Sequence, residues 1–322
     1  MGQIGVVGSG AWATTAAKIL AENGHSVVQW CHRPDYVNPI QTLHENTLSL
    51  PGVRLPDTLT ASVNMDDLQS ADTWVICIPS KFLDTLPPLV SRYRGQAIVS
   101  LIKGLPEHTD THSVADYLQT LLRSDDLAVL SGPNLALELA QQLPGASVVA
   151  AKNPQLCRHF QQLFSRPYFR IYTSDDRLGV ELGGVLKNVY AFAAGIADGL
   201  RLGTNAKSAL MTRALAEMVR IGKSMGANPT TFYGLSGIGD LMATAYSQSS
   251  RNWQAGFNLA QDKEGNRSDR GIAEGARTAL LFNRRLPTME VPILSAIATV
   301  LTGQETVSSV MTQLMQRELK SE

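Results

Sequence analysis

The chain has 322 residues and 44% hydrophobic content, enough for about two domains, each with its own core. Lysine plus arginine equals aspartate plus glutamate at 28 each, so net charge points to neither nucleic acid nor an anionic membrane, and any anion site must come from local placement. No apolar run approaches the roughly 18 residues of a membrane helix, and the cysteines Cys31, Cys77 and Cys157 are far apart and outside any metal-ligand spacing.

The amino terminus, MGQIGVVGSG, enters a strand pattern at once and leaves no room for a signal peptide. Together with cysteines that read as buried free thiols, this makes a cytoplasmic protein the expectation. Short, uncharged, β-rich runs then recur: IGVV (4–7), SVVQW (26–30), WVICI (74–78), AIVSLI (97–102), LAVL (127–130) and SVVAA (147–151). Such runs suit strands covered on both faces. Helical stretches lie between them, among them TTAAKILAEN, closed by Gly24, and SVADYLQTLLR. Strand and helix in alternation predict an α/β domain, a Rossmann-like, doubly wound, mostly parallel sheet. Residues 32–66, interrupted by prolines, carry few periodic signals.

GSGAWA (8–13) joins the first strand to the first helix and fits G-x-G-x-x-A, a dinucleotide fingerprint. Gly8 permits the tight turn, Gly10 lets backbone approach a diphosphate, and Ala13 keeps helix and strand close. Ala11 and Trp12 open the helix, whose N–H groups and partial positive charge suit phosphate. The second strand ends WCHRPD, with His32 and Arg33 where NAD binders carry an acid. Arginine there pairs with a 2′-phosphate, favouring NADP(H) with NAD(H) possible. The alternative is a solvated Arg33, with Asp35 serving the ribose.

Lys103 directly follows the fully apolar run AIVSLI and so lines the crevice beyond the carboxyl ends of the strands. In SGPNLALELA (131–140), Gly132 and Pro133 set a turn and Asn134 is expected to cap the next helix. After about residue 175 strand-like runs stop. Helical patterns follow at 178–200, 205–227, 249–262, 272–284 and 289–302, predicting an all-α second domain. The expected division is 1–175 and 176–322. QDKEGNRSDRG (261–271) reads as a loop, and the sequence leaves open whether it closes as a lid.

Two stretches of this second half carry the chemistry. In ELGGVLKNVYAFAAG (181–195), Lys187 shares a helical stripe with Gly183, Gly184, Ala191 and Ala194, which would leave room for a ring and a substrate. The alternative is a lysine in water beside a helix-packing groove. In GLSGIGDLMATAYSQSSRNW (234–253), Asp240 and Thr244 share a helical face, and Ser249, Ser250, Arg251 and Asn252 begin a new helix, which suits a phosphate. A serine N-cap with Arg251 solvated is the plainer reading.

Taken together, GSGAWATTAA, LIKGL, SGPNLALELA, ELGGVLKNVYAFAAGIADGL, LSGIGDLMATAYSQSSRNW and GIAEGARTA resemble the NAD(P)-dependent glycerol-3-phosphate dehydrogenases of bacteria over nearly the whole chain. The resemblance implies reversible reduction of dihydroxyacetone phosphate to sn-glycerol 3-phosphate, feeding glycerophospholipid synthesis, in a homodimer without a metal. It implies Lys187 as the acid/base residue, supported by Asp240 and Lys103. It places Lys103, Gly132, Asn134, Lys187, Asp240, Thr244, Ser250, Arg251 and Asn252 at the substrate. It places Gly8, Gly10, Ala11, Trp12, His32, Arg33, Lys103, Ala136, Arg251 and Glu274 at the cofactor. Asn134 stands where many members have Ser or Thr, and Ala13 where many have Gly. The rival readings are a related β-hydroxyacid dehydrogenase and an NADPH-sensing regulator without turnover.

Overall fold

A computed structural model describes residues 2–107, 109, 111–261, 273–316 and 318. The chain divides into two compact units, Met1–Glu181 and Leu182–Glu322.

In the first unit, β1 (Gln3–Val7) leads through the glycine turn into α1 (Ala11–Glu22) and then β2 (Ser26–Trp30). The proline-interrupted stretch holds α2 (Pro34–Leu43), a hairpin of β3 (Glu45–Asn46) and β4 (Leu50–Arg54), and β5 (Leu59–Ser62). Pro34 lies in the first turn of α2, where a missing N–H costs nothing, so a proline-rich sequence still starts a helix. There follow β6 (Thr73–Ile76), β7 (Ala97–Ser100), α3 (Val114–Leu122), β8 (Ala128–Ser131), α4 (Ala136–Ala140), β9 (Gly145–Ala150), α5 (Pro154–Phe164) and β10 (Phe169–Ser174).

The main sheet has the order β10-β9-β8-β7-β6-β1-β2-β5, and every pair is parallel except β8 with β9. The expected doubly wound, mostly parallel sheet is present. Alternate strand residues feed two cores, as the two-residue period of a strand requires. Ile4, Val6, Val75 and Val99 pack with Ala13, Ala16, Ala17 and Leu20 of α1 and Phe160 and Phe164 of α5. Val7, Ile76, Ile98 and Val129 pack on the other face with Val114, Leu118 and Leu122 of α3. Strand order reverses at β1, which lies between β2 and β6, and the glycine turn leaves from its carboxyl end. That is the switch point at which such sheets bind ligands.

The strands β5 and β10 were not expected from the sequence, and they are the two edges of the sheet. FRIYTS of β10 alternates buried with exposed residues, and one of the exposed ones is Arg170. An edge strand has no need of an uncharged run.

The unit from Leu182 on is helical in its described residues. It contains the greater part of α6 (Arg177–Gly199), then α7 (Gly203–Ser224), a π-helical turn at Leu235–Gly239, α8 (Asp240–Ala245), α9 (Arg251–Gln261), α10 (Glu274–Arg285), α11 (Pro292–Leu301) and α12 (Val307–Met315). Beyond Gln261, the loop expected at 261–271 lies outside the described residues.

Every α6 residue from Leu182 to Ala197 is buried, so this helix forms the axis of the unit. Its neighbours seat on it backbone to backbone. A Cβ at Gly183 would overlap the carbonyl oxygen of Ser236, one at Gly256 of α9 that of Phe192, and one at Gly275 of α10 that of Asn188. The small-residue stripe beside Lys187 therefore admits protein at Gly183, where the sequence suggested open room for a ring and substrate. The close seating has a consequence for the site, because the π-helical turn it admits leads straight into Asp240.

Candidate functional site

The first unit carries a nucleotide-type turn. Gly8 has φ of +132°, and a Cβ there would overlap the Cys77 carbonyl oxygen, so only glycine fits. At Gly10 a Cβ would meet nothing within 4 Å, so the backbone faces open space. Gly10 is also the N-cap of α1, and no side chain fills the cap. Exposed backbone at an uncapped helix start is what an incoming diphosphate requires, so these residues fit a dinucleotide.

Around the turn, Ser9 Oγ lies 3.1 Å from His32 Nδ1. Arg33 is exposed after the end of β2, its guanidinium 5.2 Å from the centre of the Tyr36 ring. Asp35, the alternative ribose partner, lies in the first turn of α2. Trp12 meets Phe169 edge-on with ring centres 6.5 Å apart, and its Nε1 is buried without a partner among the described residues. Ala136 lends its carbonyl to Thr15 Oγ1 at 3.0 Å, which ties α4 to α1. Lys103 Nζ donates to the Gly132 carbonyl at 2.8 Å, and Gly132, with φ of +148°, packs against Ser147.

Asn134 does not cap the following helix, contrary to expectation. The N-cap of α4 is Leu135, and Asn134 Oδ1 instead accepts from Ser147 Oγ of β9. The asparagine oxygen is thereby committed to the sheet, and its buried Nδ2 has no partner among the described residues. Burial pushes the Cys31 and Cys77 thiols up to about 12, so both stay protonated at neutral pH.

The second unit carries the lysine. Lys187 is 8% exposed, which rules out the reading of a solvated side chain. Its Nζ donates to Asp240 Oδ1 and to Thr244 Oγ1, each at 2.7 Å. Thr244 Oγ1 in turn donates to the Asp240 carbonyl at 2.7 Å, so its lone pairs face the ammonium. Two of the three lysine N–H bonds are thus fixed, and with them the direction of the third. A buried ion pair is poor evidence for stability, and it marks a site where charge has been kept for another reason.

Ser250 caps α9, accepting from Trp253 N at 3.3 Å, so the capping reading holds for the hydroxyl. Arg251 is exposed on the first turn of α9. Asn252 is buried between neighbours: its Nδ2 donates to Asn188 Oδ1 at 2.9 Å, and its Oδ1 accepts from Gly275 N at 2.8 Å. The carboxamide of Asn252 therefore joins α6, α9 and the start of α10, where Glu274 is the first residue. Trp253 Nε1 and Lys207 Nζ both donate to Asp198 Oδ2, at 2.7 and 2.6 Å, anchoring the same turn of α9. Among the described residues, no group of three His, Cys, Asp or Glu is placed to hold a metal ion, and no helix is long and apolar enough to cross a membrane.

Two family models match in tandem: the N-terminal part of NAD-dependent glycerol-3-phosphate dehydrogenase over residues 3–157, and its C-terminal part over residues 176–312. The chain belongs to this family. A glycerol-3-phosphate dehydrogenase [NAD(P)+] of Pseudomonas entomophila is 40% identical over 99% of this chain and 95% of that protein. A protein of the same name from Bacillus anthracis is 39% identical over 100% and 98%. The crystal structure of glycerol-3-phosphate dehydrogenase from Coxiella burnetii superimposes with a TM-score of 0.91 at 31% identity, over 98% of this chain and 99% of that one.

Within this dehydrogenase-family chain, Lys187 meets Asp240 and Thr244 directly; the spacing places only Asp240 and Thr244 on one helical face, and the resemblance brings Lys187 to them. Sequence reasoning passed over Gln29, Asn46 and Asn188. A glutamine inside the apolar run SVVQW was the available signal for the first, since a buried strand residue that is polar needs a partner. Asn188 follows the lysine directly and lies on an all-buried helix, which is a similar signal.

Proposed function

We propose that this protein reversibly reduces dihydroxyacetone phosphate to sn-glycerol 3-phosphate with NAD(P)H, in the cytoplasm and as a homodimer, supplying glycerophospholipid synthesis. The observation that carries the reading is the buried Lys187 ammonium held by Asp240 and Thr244, in a chain of this family. In this reading residues 1–175 serve the cofactor and 176–322 the substrate.

Bound, the nicotinamide supplies a hydride to the ketone carbon. As negative charge grows on the carbonyl oxygen, Lys187 Nζ donates a hydrogen bond and then its proton, giving the alcohol. Asp240 stabilises the ammonium before transfer and helps the amine regain a proton from water afterwards. Lys103 adds a second positive charge. Arg251, exposed at the start of α9, binds the substrate phosphate with Ser250, fixing the ketone in register. Asn252 acts chiefly by holding α9 and α10 in place, since both ends of its carboxamide are engaged there. Gly132 and Asn134 border the substrate, with Asn134 Nδ2 as the donor on offer.

Gly8, Gly10, Ala11 and Trp12 receive the diphosphate end of the cofactor, and Ala136 and Glu274 border it. The preference is for NADPH. It is supported by Arg33, exposed and stacked on Tyr36, with His32 beside it and no acid at the end of β2.

The test is NADPH consumption by the purified protein with and without dihydroxyacetone phosphate, repeated with NADH. Oxidation of NADPH coupled to formation of sn-glycerol 3-phosphate is expected. Arg33→Asp should move the preference toward NADH. Protein that binds NADPH but oxidises it with no ketone phosphate would overturn the reading in favour of a non-catalytic sensor.

A further inference from the structure

We propose that Gln29 and Asn46 are positioning residues for the cofactor diphosphate, acting through two successive carbonyls of the glycine turn. The proposal rests on the cofactor reading above and assigns work to residues outside the turn.

Gln29 lies within β2 and is 0% exposed; its Nε2 donates to the Gly8 carbonyl at 2.8 Å and to Thr14 Oγ1 at 3.0 Å. Asn46, at the end of β3, is 1% exposed; its Nδ2 donates to the Ser9 carbonyl at 3.0 Å and to Thr14 Oγ1 at 2.8 Å. Two amides from separate elements thus claim neighbouring carbonyls and converge on one hydroxyl.

A peptide unit is planar and trans, so its N–H points opposite to its C=O. The Gly8 and Ser9 carbonyls turn inward to the two amides, so the N–H groups of Ser9 and Gly10 turn away from them. Gly10 is the residue whose Cβ direction is open and whose helix start is uncapped. A carbonyl oxygen facing a diphosphate would repel it, whereas successive N–H groups form an anion-binding concavity. The two amides hold the turn in the attractive arrangement before the ligand arrives.

A purely structural role explains Gln29 poorly. Its Oε1 is buried and has no partner among the described residues. An apolar side chain of similar size would carry no such penalty, so the glutamine is retained for its two N–H bonds. Asn46 belongs to the β3–β4 hairpin, and its Oδ1 accepts from Ser49 N at 3.1 Å. Leu50 and Val53 of that hairpin pack with Ala140 of α4 and Ala11 of the turn. The hairpin is thereby moored to the glycine turn.

The experiment compares the affinity of the full chain for ADP, which carries the diphosphate, with that for adenosine, which does not. Gln29→Met keeps the bulk and removes the donors; Asn46→Ala acts on the adjacent carbonyl from the other side. Each is expected to raise the ADP Kd about fivefold to tenfold, as for loss of one or two buried hydrogen bonds, with adenosine changed less than about twofold. Gln29→Met removes the orphaned acceptor but also takes the amide partner from the Gly8 carbonyl. Melting is therefore recorded for both variants, and the ADP-against-adenosine difference is read where each is fully folded. The KM for NADPH should rise while kcat at saturating NADPH stays within about twofold. Unchanged ADP affinity in both variants, or an equal loss for adenosine, would overturn the proposal. The readout is binding, so failure of the proposed reaction would show separately, as ketone left unreduced by wild-type protein that still binds ADP.

Discussion

Lys187 is fixed by two hydrogen bonds of 2.7 Å inside a largely aliphatic stretch of α6, and its ammonium is the group that Asp240 and Thr244 hold ready to give a proton. General acid catalysis of this kind contributes about 10²–10⁴-fold, so Lys187→Ala should lower kcat by at least about a hundredfold with NADPH affinity unchanged. Single-turnover rates beside a fluorescence titration of NADPH measure both, and near-normal turnover would remove Lys187 from the chemistry. Asn134 shows where residue-level reading falls short. SGPN has the composition of a cap, and the pull of Ser147 from the adjacent strand is invisible until the sheet is built.

Among the elements, α6 organises its unit through glycine seats. A Cβ at Gly275 would overlap the Asn188 carbonyl, and the side chain of Asn188 is tied to Asn252. Gly275→Ala should cost about 1–3 kcal/mol or more, as overpacking into backbone does, and it should lower turnover by displacing the helix turn beside Lys187. Urea unfolding with an unchanged slope, run alongside the assay, separates the two effects. A variant as stable and active as wild type would show that the seat has slack.

Six of the eight main-sheet strands were legible as apolar runs because they are covered on both faces, and the two missed strands are the edges. The pairing of Lys187 with Asp240, 53 positions apart, came from the family resemblance, while the glycine turn and the Asp240–Thr244 pair were legible from their own spacing. The carbonyl clasp by Gln29 and Asn46 was not. It joins residues 21 and 37 positions from the carbonyls they hold, and no local pattern encodes that.

At the scale of the whole molecule, stability should depend on Glu181. This carboxyl is buried, accepts from Ser113 Oγ at 2.6 Å and Ala115 N at 3.0 Å, and so caps the start of α3. Desolvation pushes its pKa up from 4.5 to about 7, against the lowering pull of those bonds and of Arg177. The folded state then holds a proton that the unfolded state releases. Its contribution is complete below about 4.5 and is lost as pH rises through about 7. The span corresponds to about 3 kcal/mol. Glu181→Gln should flatten that part of the pH–stability curve, measured by urea midpoints across the window, and a slope matching wild type would discount the residue. Glu217, raised in the same direction by burial, contributes to the same side of the curve.

Seats made of main chain have no side chain to trim or lengthen. The gap between α6 and its partners at Gly183, Gly256 and Gly275 is set by the thickness of a peptide group, which no substitution can retune by small steps. Selection for a bulkier substrate would therefore have to act on the connecting loops and on the reach of Arg251, while the bed that carries Lys187 stays at one width.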